Sequence, residues 1–392
     1  MTPSDDIAAR LRHLRPLVDR HVTRERVRRY LRALADTHAP STAAAALRLP
    51  VLRRLLREDD VFAGGRLTLE ADFRATGSPV ILTGDPDAPK NLWYFAHLDT
   101  ISYLVQPFDG ARYKLVPFCV HLTSDGVRDA RAYRYDLARD AYDVVAGGLL
   151  ESVAGVPWFR PAASAPPLRA GDRVVPVVPY RDGEGGEVVA QLDNAGGVAA
   201  LAVAAPVLAQ AGVDALLAFP DEEEGPIGPG NQMIGRGGTR IVTLLPVPDL
   251  AVIADVQQAG GAPEADTRGG VQNTTRLGGG AVLAEFSSLG RGAVTPPHLY
   301  AQARHVAALL AELGVAVQES NNAYSSRSDD VGVMLRTPNI LLLGFPGFNR
   351  HFDHGPPRAH LDDIVYLAKA LVYVSALAPW VAQRRIAGGV GP

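Results

Sequence analysis

The chain has little that would tie it to an oxidising compartment, a membrane or a nucleic acid. Its 392 residues include one cysteine, Cys119. That excludes an internal disulfide and fits a reducing cytosol. No apolar run reaches the ~18 residues that suggest a membrane span. The start, Met1-Thr2-Pro3-Ser4-Asp5-Asp6, is polar and leads into an Arg-rich stretch, with no signal-peptide apolar core. A net charge of -3 gives no global basic field for nucleic acid. Arg26, Arg28 and Arg29 cluster near the start, but such a cluster reads first as a solvated helix face. These absences predict a cytoplasmic protein without membrane or nucleic-acid partners.

What is present is a large core. Hydrophobic residues make up 47% of the chain, and the length suffices for two domains or one large α/β domain with an insertion. Residues 1–65 read as two or three amphipathic helices, with Ser41 after Pro40 a candidate cap. Residues 66–100 and 189–385 alternate apolar runs with helical stretches, as an α/β sheet with helices on both faces would. Within them, 195–211, 297–313 and 361–378 read as helices, and 215–220, 250–255 and 339–344 as strands. Gly-rich stretches at 225–238 and 260–280 read as loops. Residues 101–188 differ in character: alternating and aromatic segments such as Tyr113 to Phe118 predict an inserted, mostly β domain.

The chemistry sits where apolar runs end. Leu92 to Ala96 leads to His97 and Asp99; Leu216 to Pro220 leads to Asp221, Glu222, Glu223 and Glu224; Leu250 to Ala254 leads to Asp255; Ile340 to Pro346 leads to His351, Asp353 and His354. Asp193 opens the Ala-rich helical run. Buried parallel strands are uniformly apolar, and open α/β sheets place ligands beyond the carboxyl ends of their strands. The acidic groups and imidazoles therefore converge on one crevice, which needs cations to be stable. Taken singly each motif is weak. Asp193 and Asp255 could be plain caps, and three successive glutamates could be a solvated loop. His13, His21, His38, His298 and His305 read as surface or packing residues, His360 as structural, and His121 stays open.

The ordered set resembles the co-catalytic dinuclear zinc aminopeptidases, and within them the tetrahedral, or glutamyl/leucyl, aminopeptidase family. The resemblance covers about residues 90–375. It rests on Ala96-His97-Leu98-Asp99, Leu192-Asp193-Asn194-Ala195-Gly196, Asp221 to Gly225, Asp255-Val256, Leu277 to Gly280, Ser328-Asp329 and His354-Gly355-Pro356. It implies a mixed, mostly parallel sheet with helices on both faces and two divalent metal ions, zinc first, with cobalt or manganese as alternatives. The first ion would be held by His97, Asp193 and Asp255, and the second by Asp193, Glu223 and His354. Asp99 would orient His97, and Glu222 would be the general base. Peptide substrates and homo-oligomers, dimers or dodecamers, are also implied. Residues 1–70 depart from the family. So do Asn194 and Ala195, Glu224, and the absence of an arginine three positions before His354, where His351 stands.

The leading expectation is a metal-dependent aminopeptidase. A related carboxypeptidase or amide deacylase would use the same centre. A metal-independent glycoside hydrolase using Asp99 and Glu222 would leave His97 and His354 unexplained. A non-catalytic scaffold would have no need of a full ligand set.

Overall fold

The computed structural model describes residues 3–388 apart from 86, 120, 122, 226–234 and 262–269. The loops read at 225–238 and 260–280 therefore lie partly outside the described residues. Three helices come first: α1 (Pro3–His21), α2 (Arg24–Ala35) and α3 (Ala44–Glu58). Then follow β1 (Leu67–Glu70), β2 (Val80–Thr83) and β3 (Leu92–Phe95). Strands β4 (Ser102–Phe108), β5 (Tyr113–Phe118), β6 (Gly126–Asp136), β7 (Ala141–Val153), β8 (Val156–Pro161) and β9 (Arg173–Pro176) form the insertion. The chain continues with β10 (Arg181–Asp182), β11 (Glu187–Val189), α4 (Ala195–Gln210), β12 (Ala215–Ala218), α5 (Arg236–Thr243) and β13 (Leu250–Gln258). It ends with β14 (Ala281–Ala284), α6 (Pro297–Glu312), β15 (Val317–Glu319), α7 (Asp330–Val333), β16 (Ile340–Phe348), β17 (Arg358–His360), α8 (Leu361–Tyr373) and α9 (Ala378–Gly388).

Among the described residues one mixed sheet runs in the order β1-β2-β12-β3-β13-β16-β17-β11-β10, with β14 and β15 branching from β16. Its centre, β12-β3-β13-β16, is parallel. These strands are buried on both faces, which explains their unbroken apolar runs. Alternation still sorts their side chains. Leu92 and Tyr94 join the core under α4 and α8, whereas Trp93 and Phe95 point to the other face, among Phe73, Ile241 and Val242. Truncating a filled position such as Trp93 to alanine should cost about 3–5 kcal/mol.

Two boundaries differ from the sequence reading. The helices α1–α3 are not a separate body: Ile7, Leu11, Val27, Leu31 and Leu52 share one core cluster with Tyr94, α4 and α8. The alanines of α4 leave room for this, because small side chains let α1, α2 and α8 approach closely. The insertion is a closed barrel, β4-β5-β8-β7-β6-β9, with its own core of Tyr103, Leu115, Leu150, Phe159 and Val174. It closes at Pro176; β10, inside the range read as insertion, belongs to the large sheet through β11. The helical run Leu361–Arg384 is also long and apolar enough by composition to cross a membrane, although 72% of its apolar window is buried in the protein's own core.

Candidate metal centre

The four central parallel strands end side by side, and their carboxyl ends deliver the polar groups. His97 follows β3, Glu223 and Glu224 follow β12, Asp255 lies within β13, and His351 follows β16. Asp193 arrives just before α4, whose N-cap is Asn194. These side chains form two buried groups, His97–Glu223–Asp255 and Asp193–Glu224–His351.

Asp193 joins the groups. The Nε2 atom of His97 lies 3.1 Å from Asp193 Oδ1, 3.6 Å from Glu223 Oε2 and 3.7 Å from Asp255 Oδ2. The Nε2 atom of His351 lies 3.3 Å from Asp193 Oδ2 and 3.2 Å from Glu224 Oε2. Asp99 faces the other ring nitrogen of His97, with its carbonyl 3.1 Å and its Oδ1 3.4 Å away. This contact aims Nε2 at the carboxylates, as an outer partner does for a metal-binding imidazole.

The electrostatics show a shortage of positive charge. Four carboxylates face two imidazoles in a buried place. Burial pulls His97 down, but the Glu223 and Asp255 charges outweigh it and hold the ring well above the ordinary histidine value. His351 likewise rises to about 10, against burial, beside Glu224 and Asp193. Burial, reinforced by Glu224 and Asp255 and opposed by His97, lifts Glu223 well above the usual carboxylate range. Asp329, which the sequence marks only as part of Ser328-Asp329, is fully buried, and burial is the main cause lifting it to about 8. Several atoms aimed inward make no hydrogen bond: His97 Nε2, Asp193 Oδ1 and Glu224 Oε1. Buried polar atoms rarely stay unsatisfied. Orphaned N and O donors a few ångströms apart, shared through one carboxylate, suit a pair of divalent ions.

Two sequence assignments move. His354 is exposed, whereas His351 is buried against Asp193 and Glu224. His351 stands three residues beyond the end of β16 at Phe348, and its ring is the one that turns inward. Glu222 also lies outside both groups. Its backbone is left-handed, with φ of 63°, and its carboxylate turns to Arg240 at 2.6 Å and Arg236 at 3.8 Å. That one turn sends Glu223 and Glu224 inward. The loop is held from beneath: Asp99 accepts the Glu223 and Glu224 amides at 3.0 and 3.2 Å, and Asp221 accepts the Glu222 amide at 2.7 Å. His97, Asp99, Asp193, Glu223 and Asp255 come together where the sequence places them. Glu224 and His351 were the members it passed over, although His351 stands in the same segment as His354. Beside it Arg350, largely buried, brings Nη1 to 3.5 Å from Asp193 Oδ2.

No family model matches the chain, and no curated protein matches it in sequence. Solved structures match it in fold. An aminopeptidase from the archaeon Desulfurococcus kamchatkensis is similar with a TM-score of 0.69 and 15% identity, covering 92% of this chain and 98% of that one. The TET1 peptidase of Pyrococcus horikoshii, described as able to assemble into a tetrahedron or a large octahedral shell, gives 0.66 and 17%, covering 89% and 99%. The chain has the fold of the tetrahedral aminopeptidases. A Thermotoga maritima protein described as an endoglucanase shares that fold too, at a TM-score of 0.59 and 16% identity over 90% and 99%. Fold alone therefore does not choose the reaction; the side chains must.

Proposed function

We propose that the protein is a dinuclear metal-dependent aminopeptidase. The observation that carries this reading is the pair of buried His/carboxylate groups joined through Asp193. One ion would be held by His97, Asp193 and Asp255, the other by Asp193, Glu224 and His351. Two such divalent ions would polarise a scissile carbonyl and acidify the attacking water. Glu223 is then the carboxylate left over. Its Oε2 lies 3.6 Å from His97 Nε2, and it serves as the general base, taking the water's proton and passing it to the leaving amine. Asp99 orients His97. The N and O ligand set suits zinc, with cobalt or manganese as substitutes. The acidic crevice favours a cationic group, which supports peptides with a free α-amine as substrates over N-acylated ones.

A glycosidase built on Asp99 and Glu222 finds no support. Asp99 is fully buried and already accepts three hydrogen bonds, and Glu222 is paired with Arg240. Self-association is part of the proposal. The barrel exposes Phe108 at 50% and Leu137 at 85%, and apolar surface of this kind favours contact between copies. A cytoplasmic location is supported by the single, buried cysteine.

Chelation followed by metal addition tests the reading. Elemental analysis should find up to two transition-metal ions per chain. Exhaustive chelation should abolish cleavage of aminoacyl anilides, and zinc, cobalt or manganese should restore it. Full activity without metal would refute the proposal, and equal cleavage of N-acetylated peptides would turn it toward a deacylase.

A further inference from the structure

We infer that Ser41, on the N-terminal helical segment, is a positioning residue for this centre: through Asp99 it fixes the backbone from which Glu223 and Glu224 reach inward. The inference rests on the function proposed above.

Residues 39–48 run alongside the end of β3. Thr100 donates its amide to the Ala39 carbonyl at 2.8 Å, and Ser41 donates its amide to Ser102 Oγ at 3.2 Å. Ser41 is 1% exposed, and its hydroxyl donates to Asp99 Oδ2 at 2.6 Å. Among the described residues it is the one side-chain hydroxyl bonded to that carboxylate. Asp99 also accepts the amides of Glu223 and Glu224, with His97 Nδ1 3.4 Å from its Oδ1. A carboxylate offers about four acceptor sites, and Asp99 fills three of them with hydrogen bonds. It is the knot between one ligand imidazole and two acidic residues of the loop.

The neighbours of Ser41 grip the other end of the same loop. Asp221 accepts the amides of Thr42 at 2.9 Å and Ala44 at 3.0 Å. Thr42 holds a φ of 74°, which a β-branched residue rarely adopts, and the bond to Asp221 helps hold it there. Further along, Arg48 is 0% exposed and donates to the carbonyl of Leu98, the residue between His97 and Asp99, at 2.5 Å. Its Nε also donates to Leu34 and Thr37 carbonyls, which ties it to α2 and the turn after it. The segment that departs most from the resembled family thus reaches the centre itself. Removing the Ser41 hydroxyl would leave the buried Asp99 carboxylate short of a donor. The carboxylate could then rotate, carrying the glutamate amides with it.

The test compares the full-length wild type with Ser41→Ala and Ser41→Thr. Zinc affinity is read by chelator competition with zinc alone, kcat and KM on a free-amine aminoacyl anilide, and folding by thermal melting. Ser41→Ala should fold, lose about 10–100-fold in zinc affinity and in kcat, and keep its KM. Ser41→Thr, which retains the hydroxyl, should recover most of both. A Ser41→Ala variant with wild-type zinc affinity and kcat would overturn the inference. So would a loss that Ser41→Thr fails to recover, since shape rather than the hydroxyl would then matter. Wild type that binds zinc but cleaves no anilide would defeat the proposed function alone, because the affinity comparison still decides Ser41. Wild type that binds no divalent ion would overturn both.

Discussion

The two halves of the centre are built from different kinds of chain. His97 lies two residues beyond β3 and Asp255 lies within β13, paired to β16; the two strands are neighbours in the parallel centre of the sheet, where ladder bonds fix the backbone. Glu224 and His351 stand on loops that other parts of the molecule hold in place. Asp99 carries the Glu224 amide. The barrel carries the other loop: Thr123 Oγ1 donates to the His351 carbonyl at 3.1 Å, the Ser124 amide to the Asp353 carbonyl at 3.0 Å, and Arg128 to the Phe352 carbonyl at 3.2 Å. The strand half is organised by the sheet itself. The loop half is organised only when the N-terminal segment, the α/β layer and the barrel are assembled. Rigid elements preorganise ligands better than loops do, so the strand half should hold its ion more tightly.

The largest effect should come from breaking what the halves share. Asp193→Asn should empty both groups and reduce turnover to background, measured by elemental analysis and anilide cleavage together. Next, His351→Ala should empty only the loop half, so metal content falls from two ions to one. His354→Ala should change neither reading, since His354 is exposed. A smaller effect should follow from loosening the barrel's hold. Thr123→Val removes the bond to His351 and should weaken the second ion about tenfold in a metal titration, with the first unchanged. Equal weakening of both ions would erase the distinction between the halves.

Acid should act on the same joint. His38 Nδ1 lies 2.6 Å from Tyr133 Oη, linking the N-terminal segment to the barrel. Burial first, then the charges of Arg131 and Arg48, lower its pKa from 6.5 to about 4. The folded protein therefore binds fewer protons than the unfolded chain between these values. The stability contributed by neutral His38 is full above pH 6.5 and is lost as pH falls toward 4, at most about 3 kcal/mol. Melting curves of the metal-free protein across this window should show the loss, and His38→Phe should flatten it.

The same contrast explains what could be read from the sequence. Strand-end ligands announce themselves, because a strand buried on both faces is a plain apolar run and the polar residue after it stands out. His97, Asp255 and the sheet they crown were legible for that reason. Loop ligands depend on facts that no local pattern carries. Nothing in three successive glutamates says which face inward; the left-handed turn at Glu222 and the acceptors Asp99 and Asp221 decide it. The sequence reads as a strand over 339–344, yet β16 continues to Phe348, with Gly347 paired to Ala359 of β17. The imidazole that turns inward beyond it is His351, not His354, and no local pattern separates the two. The N-terminal helices were visible as helices, but not their reach. A buried arginine such as Arg48 looks like any surface arginine until its carbonyl partners are known.

The account turns on the register of the loop after β12. The most direct test measures metal content and kcat together on Glu222→Gln, Glu223→Gln and Glu224→Gln. Glu223→Gln should keep both ions and lose about 10²–10⁴-fold in kcat. Glu224→Gln should lose one ion, and Glu222→Gln should cost little beyond its ion pair with Arg240. An inactive, fully metallated Glu222→Gln beside an active Glu223→Gln would contradict the account.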